Sequence, residues 1–395
     1  MALSFRPLLV ALAALAAAPA SAQIVACGGT FSSFLNAVAA EAQSRGFSET
    51  ETRRFLSSAR QDPAVIRADR SQGIFQRPFV DFSRRLISQN RIDAGIRNAQ
   101  RWDSVFDRIE LDYGVNRGVL LAFWAFETDY GAVQGDFNTV NALLTLSHDC
   151  RRPELFQPQV FAAMELAREG GIDPATTTGA WAGEIGMVQM LPEDIINYGS
   201  DGDGDGRVSL KTSPADALLS GARMLRGLGW RANEPWLVEV NVPTNFDWSQ
   251  TGLETKKRVS DWAGMGVEGR AGALPNRSLE ASLLLPQGRN GPAFLAYPNF
   301  DVYFEWNQSF VYVTTAAYFA TRLEGAPVFN AGNPPDALGE EDMKLLQQKL
   351  SALGYDVGGI DGILGARTRS AVQSEQQRLG LPADAWPTRE LLSRL

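Results

Sequence analysis

The chain has 395 residues, 45% hydrophobic and 21% charged, a globular composition that excludes a disordered tail, a collagen-like repeat and a disulfide-dense miniprotein. The length allows two or three domains and a sizeable core. With 37 Lys and Arg against 45 Asp and Glu the net charge is -8, which repels a polyanion, so no nucleic-acid partner is expected. The single histidine, His148, cannot build a multi-histidine zinc site. It could serve one hydrolase triad, but no Gly-x-Ser-x-Gly elbow accompanies it. Carboxylate chemistry is the expectation.

In chain order, a charged start ending at Arg6 precedes an apolar run from Pro7 to Ala18 and an Ala-x-Ala site, Ala20-Ser21-Ala22. This pattern predicts a secretory leader over residues 1–22, removed after Ala22, and a soluble periplasmic chain. The run is short for a membrane span of about 20 residues, which disfavours the alternative of an N-terminal anchor. Ile24-Val25-Ala26-Cys27 loosely imitates a lipidation site, a lesser alternative. Cys27 and Cys150 are the two cysteines, and in an oxidising compartment they are expected to pair; two free buried thiols are the other reading.

From Thr30 to Gln134 the apolar spacing is helical, as in Phe31, Phe34, Leu35 and Val38. Gly114-Val115 breaks that pattern and Asn116 can cap a new helix. Val119 to Phe126 is apolar all round, so that helix should be buried. A further helix is expected over Pro214–Leu228. Trp236–Val242 alternates like a strand, and Ser282–Leu285 and Val302–Phe304 are short strand candidates. Helix returns over Tyr312–Leu323, a Pro- and Gly-rich linker follows, and a small helical unit closes the chain. The fold class is mainly α, an α+β chain with a small β-containing portion.

Glu127 ends the apolar run. Phe123 and Trp124 lie four and three residues before it, on the face that carries its carboxyl. Desolvation there should raise its pKa, and a carboxylic acid still protonated near neutral pH is what a glycosidic oxygen needs as proton donor. The alternative is a glutamate at the wet end of a buried helix or paired with an arginine. Asp129, two residues on, faces elsewhere and is a poor partner for a two-carboxylate mechanism.

Asp201, Asp203 and Asp205 alternate with glycine, with Gly206 at loop position six, Arg207 at seven and Ser209 at nine. This is the first half of an EF-hand-like loop, in which position seven ligates through its backbone carbonyl. Thr212 replaces the usual Glu at position twelve, and Asp216 is a candidate to supply that carboxylate. A structural Ca²⁺ is the expectation, against the alternative of a solvated acidic turn. No catalytic cofactor is expected.

Glu127-Thr-Asp-Tyr-Gly131 with Asn141-Ala-Leu-Leu-Thr-Leu146, then Ala182-Gly-Glu-Ile-Gly-Met-Val-Gln-Met-Leu-Pro192, then Trp306-Asn-Gln-Ser-Phe-Val-Tyr312, resemble in order three motifs of the B-type lytic murein transglycosylases. The resemblance covers roughly residues 28–325. It implies a lysozyme-like domain, placed at 23–325, that cleaves the MurNAc–GlcNAc bond of peptidoglycan glycan strands. Glu127 would protonate the leaving oxygen, then draw the proton from the MurNAc 6-hydroxyl, leaving a 1,6-anhydro end. An acceptor inside the substrate explains how one carboxylate suffices. Gln189 would bind saccharide or orient Glu127, and Trp306, Asn307 and Tyr312 would line the groove. Trp306 stands for the usual Tyr, Met190 for Phe, and Ala180 for a Ser near the acid.

Residues 340–395, after a linker at 326–339, resemble the peptidoglycan-binding domain 1 family, a three-helix module, most closely at Asp361-Gly-Ile-Leu-Gly365. Tethered on a linker, such a module raises local substrate concentration. Two rival functions remain at this stage: a muramidase-type hydrolase on the same scaffold, and a non-catalytic wall-binding protein. Protein partners are not legible.

Overall fold

The protein is described here by a computed structural model covering residues 25–71 and 77–395. The expected leader at 1–22 lies outside the described residues, as does Ile24.

Three helices open the chain: α1 (Phe31–Ser44), α2 (Glu49–Leu56) and α3 (Pro63–Arg70). Each start has a side-chain cap, from Thr30, from a Ser48–Glu51 capping box, and from Asp62 ahead of Pro63. Then come α4 (Phe79–Leu86), α5 (Gln89–Arg101), α6 (Asp103–Tyr113) and α7 (Arg117–Thr128). Asn116 caps α7 through Oδ1, which accepts from Gly118 N at 2.8 Å. Every residue from Gly118 to Ala125 is buried, as the uninterrupted apolar run requires.

A two-residue strand β1 (Phe137–Asn138) leads into α8 (Thr139–His148) and α9 (Pro153–Arg168). The partner of β1, β2 (Thr178–Gly179), pairs antiparallel with it. Next are α10 (Pro192–Tyr198), α11 (Pro214–Gly227), β3 (Leu237–Asn241), β4 (Lys256–Arg258), α12 (Val259–Gly264), β5 (Glu268–Gly269), β6 (Glu280–Leu284) and β7 (Ala293–Ala296). The last five strands form an antiparallel sheet in the order β4-β6-β7-β3-β5. The large N-terminal body closes with α13 (Pro298–Trp306) and α14 (Phe310–Leu323).

Val302–Phe304 does not form the expected strand; it lies inside α13. Pro298 at the first helical position presets the turn, and the aromatic face of α13 packs into the core around α7. Three apolar residues carry too little period to separate strand from helix.

The large core surrounds α7 and unites Phe106, Leu120, Phe123, Leu218, Tyr303 and Phe319. A second core lies under α1, α8 and α9. A third backs the sheet with Trp262, Leu283 and Leu295. The C-terminal helices α15 (Glu340–Ala352), α16 (Ala366–Arg378) and α17 (Arg389–Arg394) enclose a core of their own around Leu346, Leu350, Val372 and Leu391.

Segment 326–339 is not a free tether. Phe329 N donates to the Tyr318 hydroxyl at 3.0 Å, Asn330 N to Glu239 at 2.8 Å, and Asn333 N to the Asn290 carbonyl at 2.8 Å. Cys27 and Cys150 are disulfide-bonded, so the sulfur a lipid would need is already used. His148 beside them sits against Phe31 and Phe34, with ring centroids 5.5 and 5.3 Å away.

Candidate active site

The chain turns sharply immediately after Glu127. Asp129, Tyr130 and Gly131 all have positive φ, at 51°, 60° and 89°, which ends α7 one residue past the glutamate. Asp129 turns outward to Arg91 at 2.9 Å, and the Tyr130 hydroxyl donates to the Arg91 carbonyl at 2.8 Å. Thr128 Oγ1 donates to the Met187 carbonyl at 2.7 Å. That bond fastens the end of α7 to the loop carrying the second motif.

The loop 182–190 is tightly specified. Gly183 and Gly186 have φ of 91° and 84°, and a Cβ on either would lie 2.4 Å from Leu143 or 2.5 Å from Leu210. An Ile185–Met190 bridge closes the loop. Met190 is buried in the main core, so the Phe-to-Met departure is a packing exchange. Ala180 N donates to the Glu184 carbonyl at 2.9 Å.

Two donors meet Glu127, and both land on Oε1. The Tyr312 hydroxyl donates at 2.5 Å and the Trp306 indole N–H at 3.2 Å. Burial drives the Glu127 pKa up to about 7; the Tyr312 bond opposes this, the Glu184 charge adds to it, and the Trp306 bond opposes it more weakly. The residue as a whole is half-buried, so the carboxyl is desolvated by its walls while the site stays open to a ligand. Burial also holds the Tyr312 phenol well above its ordinary pKa, keeping it a neutral donor.

The predicted site residues separate by role. Trp306 is more than a groove wall: it stacks on Phe123 with centroids 4.2 Å apart, and its N–H donates to Glu127. Asn307 shapes the turn between α13 and α14, its Oδ1 accepting from Ser309 N at 2.9 Å. Gln189 is half-buried with φ of 52°, and its amide nitrogen donates to the carbonyls of Gly186 at 2.7 Å and Gln134 at 3.5 Å. Among the described residues its hydrogen bonds tie down the loop, and none reaches Glu127.

Glu184 was not foreseen. Its carboxyl is pushed up by burial, it bears electrostatically on Glu127, and its Oε2 is buried with no hydrogen-bond partner. Its signal in the sequence is an ionisable residue set between Ala182-Gly183 and Ile185-Gly186, a context that buries it.

In the Asp-Gly loop, Asp201, Asp203 and Asp205 present carboxylate oxygens within 4.8 Å of one another. Asp201 accepts from the backbone N–H of Gly204, Asp205 and Gly206, which holds its pKa below the ordinary value. Arg207 N donates to Asp205 at 2.8 Å. Asp216 does not join the three. It is fully buried and accepts from Gly202 N at 2.8 Å and Ser209 N at 2.7 Å. Those bonds, one to each carboxylate oxygen, tie Asp216 to both ends of the loop.

Residues 30–321 match the family described as the transglycosylase SLT domain, and residues 339–395 match a peptidoglycan binding domain. SltB3 from Pseudomonas aeruginosa, solved in complex with NAG-anhNAM-pentapeptide, superposes with a TM-score of 0.85 at 35% identity, covering 93% of this chain and 99% of that one. The Escherichia coli lytic transglycosylase Slt35, solved in complex with calcium, gives 0.65 at 25% identity over 76% of this chain and 96% of that one. Membrane-bound lytic murein transglycosylase B of Escherichia coli (strain K12) is 25% identical over 299 residues, 72% of this chain and 82% of that protein. The α+β architecture is therefore lysozyme-like, and the chain belongs to the SLT-domain lytic transglycosylases, with a peptidoglycan-binding module at its C-terminus.

Proposed function

We propose that this enzyme cleaves the β-1,4 bond between MurNAc and GlcNAc and leaves a 1,6-anhydro-MurNAc end, with Glu127 as the single acid and base. The observation that carries the reading is a carboxyl raised to about 7 whose Oε1 is held by Tyr312 and Trp306. Near neutrality a large fraction of Glu127 is protonated, and Oε2 carries the proton. Glu127 gives that proton to the glycosidic oxygen as the C1–O bond breaks, and the GlcNAc alcohol leaves. The Tyr312 and Trp306 donors stabilise the carboxylate that remains. Glu127 then takes the proton of the MurNAc 6-hydroxyl as O6 bonds to C1. The acid is regenerated and no water is consumed. Crystals of the relative SltB3 with NAG-anhNAM-pentapeptide and with NAG-NAM-pentapeptide support a substrate of this class.

A hydrolytic second reading rests on Glu184, whose charge is felt at Glu127. It makes water the acceptor and a second carboxyl its activator. Asp201, Asp203, Asp205 and the Arg207 carbonyl fit a structural Ca²⁺, the three clustered carboxylates being hard oxygen donors. The leader-like N-terminus supports export to the periplasm. Among the described residues no helix is long and apolar enough to cross a membrane.

Glu127→Gln tests the acid directly. Gln keeps the size and an acceptor for Tyr312 but carries no transferable proton. Turnover of purified peptidoglycan should fall by about 10²–10⁴-fold with an unchanged melting curve. Wild-type turnover in that variant would refute the assignment.

A further inference from the structure

The C-terminal module sends one arginine into the catalytic body. Arg369, on α16, sets its guanidinium carbon 4.3 Å above the Phe310 ring and 5.9 Å from that of Trp386. Its Nη2 donates to the Pro286 carbonyl at 2.8 Å, while its Nε is buried without a hydrogen-bond partner. The opposing charge is Asp384, itself 3.2 Å from Arg289 of the body. Gln373 continues the seam, donating to the carbonyls of Trp248 at 3.2 Å and Thr251 at 2.9 Å. A cation desolvated against an aromatic face is held more strongly than one at the surface.

Phe310 is the first residue of α14, and Tyr312 follows two residues later. Segment 306–312 therefore lies between the module, through Phe310, and the acid, through Trp306 and Tyr312. A module that served only to hold the wall needs no such contact, since a linker alone raises local concentration.

We propose that Arg369 is a positioning residue for catalysis: seated on Phe310, it fixes the first turn of α14 so that Tyr312 keeps its hydrogen bond to Glu127, and the wall-binding module thereby forms part of the active-site scaffold. This rests on Glu127 being the acid. The other groups that bear on the Glu127–Tyr312 pair are Glu184 from the 182–190 loop and Arg91 from α5, neither on the module. A change made at Arg369 thus reaches the pair through α14.

The test uses the full chain and a soluble glycan short enough to fill only the catalytic groove. Arg369→Met keeps the aliphatic stem and removes the charge and the donor. The inference expects kcat to fall about 2- to 5-fold, less than removal of the Tyr312 bond itself would cost, KM to stay within about twofold, and the alkaline limb of kcat to move to higher pH as the Tyr312 donation weakens. Arg369→Lys, which keeps a cation over Phe310, should recover most of the loss. If Arg369→Met does not fold, Gln373→Leu loosens the same seam and should produce the same kcat and pH changes. Unchanged kcat and limb in a folded seam variant, with loss confined to binding of intact sacculi, would overturn the inference while an inactive Glu127→Gln leaves the acid assignment standing. An active Glu127→Gln would remove both.

Discussion

Tyr312 and Trp306 both donate to Oε1 of Glu127, which leaves Oε2 to carry the proton that the proposed mechanism transfers. These donors favour the charged form and burial disfavours it, and burial prevails, leaving the pKa at about 7. Tyr312→Phe removes the stronger donor. The pKa of Glu127 should then rise. In the proposed mechanism protonated Glu127 starts the reaction, so the alkaline limb of kcat/KM should move to higher pH than in the wild type, and kcat at the optimum should drop about tenfold as the carboxylate loses its bond. A pH–rate profile checks both, and a limb moving downward would contradict the assignment. Glu127 was legible because an ionisable residue closing an apolar helix announces its own desolvation. Trp306 was legible as an aromatic plane, but where its N–H points depends on stacking against Phe123, a contact 183 residues away in sequence. Gln189 and Asn307 matched motif positions; their hydrogen bonds, to Gly186 and Gln134 and to Ser309, are ones that spacing cannot reveal.

At the scale of elements, α7 was readable to its cap, Asn116, because an all-apolar run of that length has one burial solution. Val302–Phe304 was misread because its environment, the aromatic core over α7, decides its conformation. The Asp-Gly loop was readable in its first half, where ligand spacing is local. Its second half was not, since Asp216 is buried under the loop as an acceptor of backbone N–H groups. Without a bidentate carboxylate at position twelve, affinity should lie toward the weak end of such loops. Saturating Ca²⁺ should raise the melting temperature by about 2–4 °C over a chelated sample, and Asp203→Asn should abolish the difference. An equal gain in that variant would show that the cation acts elsewhere.

Across the whole molecule, two long-range constraints define the assembly. The Cys27–Cys150 bridge closes a separation of 123 residues and pins the described N-terminus to the end of α8. Cys27→Ala should destabilise the chain by about 2–4 kcal/mol, read by denaturant melts, with little change in kcat because the bridge joins the described N-terminus to the residues after α8, outside the core around α7. The pairing was predictable from two cysteines and a leader-like N-terminal pattern. The seam between module and body was not: composition marks 326–339 as a linker, and only the fold places Arg369 on Phe310. The most direct test of the account is mass spectrometry of fragments released from purified peptidoglycan by the wild type and by Glu127→Gln. The account predicts wild-type fragments ending in 1,6-anhydro-MurNAc and their loss in the variant. Reducing MurNAc ends from the wild type would contradict it, making water the acceptor and Glu184 the carboxyl to examine.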